Sequence, residues 1–222
     1  MKRVLIFRGG WDGHDPVPTS DIVAEALRKH DIQVDIFDSQ ECLLDPELAT
    51  KYQLIVPVWT MGQIGGNEHN ALLKAVRESG VAVGGWHGGA CDAFRQNTEY
   101  QFMFGGQWVA HPGGIIDYKV HIVQVDHPIV RGIADFPMHS EQYYMHVDPA
   151  NNVLATTTFN GEHAPWIDGT VMPVVWTRYY GKGRVFYTSL GHCFADFQNH
   201  PQVLEIITRG LLWALGEKQC GC

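Results

Sequence analysis

Charge is scarce in this sequence and unbalanced. Charged residues make up 18%, and 24 Asp+Glu against 16 Lys+Arg leave a formal net charge of −8. With no run of Lys or Arg, such a chain repels phosphate backbones and anionic lipid, so neither nucleic acid nor a membrane is an expected partner. Long apolar runs are also missing: nothing approaches the roughly 18 residues of a spanning helix. Residues 4–7 are too brief for the apolar stretch of a secretory signal. The cysteines are few and odd in number (Cys42, Cys91, Cys193, Cys220 and Cys222), which argues against a disulfide framework and fits a reducing, cytoplasmic setting. Neither G-x-G-x-x-G after the first apolar run nor G-x-x-x-x-G-K-[ST] occurs, so no nucleotide cofactor is expected.

What the chain does have is apolar material, at 45% hydrophobic residues over 222 positions. That suffices for one generous core, and a single domain over residues 1–222 is expected. It is also rich in rings that carry nitrogen, with twelve His and seven Trp. Imidazole suits both proton transfer near neutrality and metal ligation, and composition does not choose between them.

Hydrophobic periodicity predicts strands at residues 3–7, 33–37, 54–59 and 81–85. They alternate with helices, one entered at Ser20 as N-cap and one over residues 67–80 with Gly80 as its stop. This alternation favours a parallel sheet with helices on both faces. After residue 105 the pattern turns β-rich: strands are predicted at 115–125 and 153–159, and a hairpin at 174–180 and 185–190 about Gly181-Lys182-Gly183. A closing helix spans 201–215. The fold class expected is therefore α/β, a flavodoxin-like, mostly parallel sheet with an antiparallel extension.

The most informative stretch is residues 81–94, where an apolar strand runs into Gly85-Trp86-His87-Gly88-Gly89 and then a helix. Flanking glycines permit a sharp strand-to-helix bend that holds one side chain, here His87, at the sheet's carboxyl edge. A helix start beside it supplies free N–H groups for a developing oxyanion or a carboxylate.

Five ordered blocks carry a family resemblance: residues 8–14 (RGGWDGH), 85–89 (GWHGG), 104–112 (FGGQWVAHP), 140–144 (SEQYY) and 189–192 (SLGH). Together they resemble the trehalose-utilisation (ThuA-like) family, which shares the class I glutamine amidotransferase-like fold. The resemblance implies that fold and a role in bacterial carbohydrate utilisation. Amidotransferases themselves carry Cys at the bend and a late His-x-Glu; this chain has His87 there and His192-Cys193-Phe194 later. Thioester chemistry on glutamine lacks its nucleophile, so the chain is not read as a glutamine amidotransferase. Cys91, four residues on, is read as a buried thiol rather than a nucleophile.

In open α/β sheets the ligand crevice lies beyond the carboxyl ends of the strands. His14 follows the first strand, His87 the fourth and His192 the last, so the three can share one pocket. Glu141, in an expected loop with Tyr143 and Tyr144, can add a carboxylate, and His111 follows the bend. As a metal site, His14, His87 and His192 suit a divalent ion such as Zn²⁺. As a metal-free site, His87, His192, His14 and Glu141 supply acid/base catalysis. His121 and His146 are left undecided, and Cys220 and Cys222 are noted as a possible terminal chelate. Trp11 and Trp86, among glycines and histidines, are expected to cover the apolar face of a sugar ring, with Asp12, Asp15 and Asp92 meeting hydroxyls and Tyr143 and His111 lining the pocket. Trp59 and Trp213 are read as core.

Two functions lead at this point, ahead of a third, a subunit supporting a dehydrogenase partner. One is an enzyme acting on a disaccharide or keto-sugar, where a carbonyl acidifies neighbouring C–H bonds. The other is a non-catalytic sugar-binding or regulatory module. A homo-oligomer is a base-rate expectation.

Overall fold

The computed structural model describes residues 1–217. Its first half runs β1 (Arg3–Gly10), α1 (Pro16–Arg28), β2 (Gln33–Phe37), α2 (Leu48–Lys51), β3 (Leu54–Thr60), α3 (Gly66–Arg77) and β4 (Ala82–Trp86). The bend follows with α4 (His87–Cys91) and α5 (Thr98–Phe104). The second half is β5 (Gly106–Ala110), β6 (Ile115–Ile122), β7 (Phe136–Glu141), β8 (Tyr144–Val147), β9 (Asn152–Thr158), β10 (Val171–Tyr180) and β11 (Gly183–Thr188), closed by α6 (Phe194–Asn199) and α7 (Pro201–Ala214).

Nine strands form one sheet in the order β2-β1-β3-β4-β11-β10-β9-β6-β7, and β5 pairs with β8 apart from it. From β2 to β11 the neighbours are parallel; from β11 to β7 they are antiparallel. This is the α/β sheet with an antiparallel extension that the periodicity predicts. Because Val4, Leu5, Ile6 and Phe7 are apolar on both sides of the pleat, β1 has to be covered on both faces. Val4 and Ile6 pack with Val23 and Leu27 of α1 and Ile206 and Leu211 of α7. Leu5 and Phe7 pack on the opposite face with Leu72 and Val76 of α3 and Phe104 of α5.

Two glycines set close approaches. A Cβ on Gly84 would stand 2.7 Å from Leu211, so the bare backbone lets α7 lie directly on β4. Gly181 takes φ 58° at the first position of the two-residue β10–β11 turn, where a positive φ is required.

The elements depart from expectation in three places. Helix α1 begins at Pro16, with Asp15 at the N-cap position but making no side-chain capping bond, because Pro16 and Pro18 sit in the first turn where no amide donor is needed; Ser20 lies inside the helix and bonds Val17 O. The run expected to reach residue 125 ends at Ile122. Six elements, α2, α5, α6, β5, β7 and β8, were not signalled. Strand β7 contains Pro137, which masks it in the sequence; a proline is tolerated there because β7 is the sheet edge, bonded to β6 alone. No helix among the described residues is long and apolar enough to cross a membrane.

Candidate active site

Three strand ends and one edge strand deliver the site. β1 runs out through Gly9 and Gly10 into a single 3₁₀ turn, Asp12–His14, which turns His14 inward. At the end of β4 the chain bends sharply, and His87 holds φ 44° there, a left-handed conformation that a non-glycine residue adopts only when the surroundings impose it. β11, parallel to β4, ends at Thr188 and leads through Ser189 to His192. Glu141 was expected in a loop; it is instead the last residue of β7, so a strand holds it rigidly across the cleft.

These four residues converge. One donor atom from each of His14, His87, Glu141 and His192 lies within 4.8 Å of all the others. Glu141 Oε2 is the hub, 3.1 Å from His87 Nε2, 3.3 Å from His192 Nδ1 and 3.9 Å from His14 Nε2. His87 Nε2 and His192 Nδ1 stand 3.2 Å apart.

Hydrogen bonds behind the rings fix which nitrogen faces the hub. His87 Nδ1 donates to Ser189 O at 2.7 Å, and a carbonyl can only accept, so a neutral His87 presents its Nε2 lone pair to the centre. His14 Nδ1 pairs with Thr60 Oγ1 at 2.9 Å, leaving Nε2 inward. Lone pairs and a carboxylate facing one another at such distances repel unless a proton or a cation lies among them.

The electrostatics divide the four accordingly. Burial lowers His14 to about 2, because a charge there would lie beside the neighbouring His87 and His192 rings as well as out of water. Burial likewise lowers His87, against the hydrogen bond with Glu141. Burial also acts to lower His192, but the Glu141 hydrogen bond and charge outweigh it, helped by Asp196 and Asp15, and the pKa rises. For Glu141, burial acts upward yet the close approach of His192 and His87 prevails, holding the carboxyl well below the usual range. In the metal-free centre the carboxylate is favoured at Glu141, His192 holds its proton more tightly than a free imidazole and the other two imidazoles are favoured neutral, and these four side chains could hold a divalent cation.

Around this group the other candidates fall into two classes. Beside the cleft, the Trp11 ring meets His14 edge-on at 4.9 Å and is 49% exposed, with Asp12 exposed next to it. His111 Nε2 lies 3.6 Å from Glu141 Oε1, its side chain 37% exposed, and its ring follows Trp108 and Tyr143. Tyr143 is buried, its ring centroid 4.0 Å from that of His87.

Two expectations are corrected. Trp86 is 2% exposed and packs edge-on against Phe197, so its indole is core and faces no ligand. Asp92 is 3% exposed and each of its oxygens accepts from Arg95, at 2.5 and 2.9 Å, so its carboxylate is buried in an ion pair rather than offered to a hydroxyl. Asp15 is half-buried and one of its oxygens accepts the Phe194 amide at 3.0 Å. Cys91 is buried, and burial raises its thiol well above the ordinary value, so it carries no thiolate at neutral pH. His121 pairs with Asp135 on the exposed extension and His146 is exposed on β8; Cys220 and Cys222 lie outside the described residues. The sequence reading missed Thr60, Ser189 and Asp196. Thr60 and Ser189 had a usable signal, being polar residues at carboxyl ends of parallel strands.

Comparison with known proteins supports this picture of the fold. A sequence model for the family ThuA, described as trehalose utilisation, matches residues 3–214. No curated protein matches the chain. Among solved structures, the fold is similar to a ThuA-like protein of Parabacteroides merdae (TM-score 0.80, 19% identity, covering 100% of this chain and 92% of that one). A ThuA-like protein of Bacteroides uniformis is also similar (TM-score 0.76, 18% identity, 96% and 91%). The chain further resembles part of a β-galactosidase from Bacillus circulans sp. alkalophilus, at TM-score 0.63 and 18% identity, over 98% of this chain and 32% of that one.

Proposed function

Because the chain belongs to the ThuA family of trehalose utilisation, we propose that it is an enzyme of carbohydrate utilisation whose centre, His14, His87, Glu141 and His192, holds one divalent cation such as Zn²⁺. The observation that carries the reading is the convergence of three imidazoles and one carboxylate, from four separate segments, within 4.8 Å. That donor set suits a first-row ion. When bound, such a cation supplies Lewis-acid polarisation of a substrate carbonyl or hydroxyl oxygen.

The chain's own groups then have distinct tasks. Ser189 O and Thr60 Oγ1 orient the His87 and His14 rings. His111 stands outside the four ligands and half exposed, so its imidazole is free to meet substrate and move a proton. The exposed Trp11 face covers the C–H side of a pyranose, and Asp12 accepts from its hydroxyls. A disaccharide or a keto-sugar is the substrate class; with a keto-sugar, the carbonyl acidifies the adjacent C–H bond that a histidine deprotonates. A metal-free acid/base reading is favoured by one observation, the 3.1 Å contact of His87 Nε2 with Glu141 Oε2.

Metal analysis of the purified protein, followed by a keto-sugar panel with wild type, His87→Ala and His192→Ala, tests the proposal. One equivalent of metal and turnover lost in both variants is the expected result. Turnover without metal selects the acid/base reading, and sugar binding without product under any metal supplement selects a non-catalytic module.

A further inference from the structure

Asp196 belongs to none of the groups described so far, yet it is buried between two of them. Its Oδ2 accepts from Ser140 Oγ–H at 2.7 Å and from the His192 amide at 3.0 Å. Ser140 directly precedes Glu141. One carboxylate oxygen thus ties the backbone of one ligand to the neighbour of another, Ser140, 56 residues before Asp196 in the chain. A buried carboxylate is costly unless hydrogen-bonded, and here its two bonds join the segments whose spacing sets the centre.

The same segment reaches the other two ligands. Ser189 O orients the His87 ring, and from the strand before it Tyr187 Oη–H donates to His87 O at 3.2 Å. The Phe194 amide donates to Oδ2 of Asp15, the residue after His14. Residues 189–193 lie between β11 and α6, outside any helix or strand, so these bonds decide where His192 stands.

We infer that the segment of residues 189–196, the loop after β11 and the first turn of α6, is the frame on which the centre is assembled, with Asp196 and Asp15 as positioning residues that set the distances among His14, Glu141 and His192. The inference rests on the metal reading above. Partners of this kind, one layer behind the ligands, typically change metal affinity by about 10–100-fold when removed.

The test is zinc affinity by chelator competition, the visible spectrum of the Co²⁺-loaded protein, and amide exchange of metal-free protein, in wild type, Asp196→Ala, Asp196→Asn and Ser140→Ala. Asp196→Ala is expected to weaken zinc by about 10–100-fold, to shift the Co²⁺ bands and to speed exchange at the His192 amide. Asp196→Asn keeps an acceptor oxygen and should recover most of the affinity, which a loss of bulk or fold would not. If Asp196→Ala fails to fold, Ser140→Ala, which deletes one of the two donors, is read the same way with a smaller loss. Wild-type affinity and an unshifted Co²⁺ spectrum in the variants overturn the inference. Should wild type bind neither ion, the metal reading itself falls. The His192 amide then decides the frame alone: faster exchange in Asp196→Ala upholds it, and unchanged exchange overturns it.

Discussion

His87 Nε2 and His192 Nδ1 stand 3.2 Å apart although 105 residues separate them in the chain. The contact exists because β4 and β11 are adjacent and parallel, so their carboxyl ends open onto the same point. Glu141 closes the group from the antiparallel extension. Both halves of the sheet are therefore needed to build one centre.

Replacing any ligand should remove the ion. For metal-loaded wild type at zinc about 100 times its Kd, linkage predicts a stabilisation of about 2.7 kcal/mol over the metal-free protein. In His87→Ala or Glu141→Ala the increment should vanish while the metal-free variant still unfolds cooperatively. Thermal or denaturant unfolding with and without zinc measures it; an undiminished increment in both variants contradicts the assignment.

Binding should release a proton and strengthen with pH. His192 has a raised pKa in the metal-free centre, so its imidazolium must deprotonate before it can ligate, whereas His14 and His87 are lowered and already present lone pairs. The sign follows: below the His192 pKa protons compete with the ion, and affinity rises as pH increases through it. Calorimetry in buffers of different ionisation enthalpy should report net proton release that grows as pH falls toward the His192 pKa, and none released at any pH would contradict the charge assignment.

Trp11→Ala should separate sugar recognition from the metal. The ring is 49% exposed, so stability should change by no more than about 0.5 kcal/mol and zinc affinity should hold. Sugar affinity should fall by roughly 1 kcal/mol, the scale of a lost ring contact. Equal sugar affinity in the variant removes Trp11 from the site.

Burial makes the opposite prediction for Leu211. It is fully buried against β4 where Gly84 lets the helix approach, and Leu211→Ala should cost about 2–5 kcal/mol of stability, read by chemical denaturation.

How much of this was legible depended on whether a residue's direction was fixed locally. The bend at His87 was readable because glycines on either side leave few other conformations, and His14 and His192 because strand ends share an edge. Trp86 misled for the same reason it stood out. The glycines beside it are there for packing, since a Cβ on Gly84 would meet Leu211 and one on Gly85 would meet Ala90 at 2.6 Å. They make room for helices, not for a sugar. Asp92 was misplaced although Arg95 three residues on was a visible partner for its carboxylate. Pro137 hid β7 and so turned Glu141 into a loop residue, because only the finished sheet reveals that this strand lies at its edge. Asp196 offered no signal: its importance comes from a contact with Ser140 that no local pattern encodes.

The central claim is that four side chains share one ion, and anomalous diffraction at the zinc edge from crystals of zinc-loaded protein tests it most directly. The account predicts a single strong peak about 2.0–2.2 Å from a nitrogen of each of His14, His87 and His192 and from a Glu141 oxygen. A map with no peak among these residues, or with its peak elsewhere on the molecule, would contradict it.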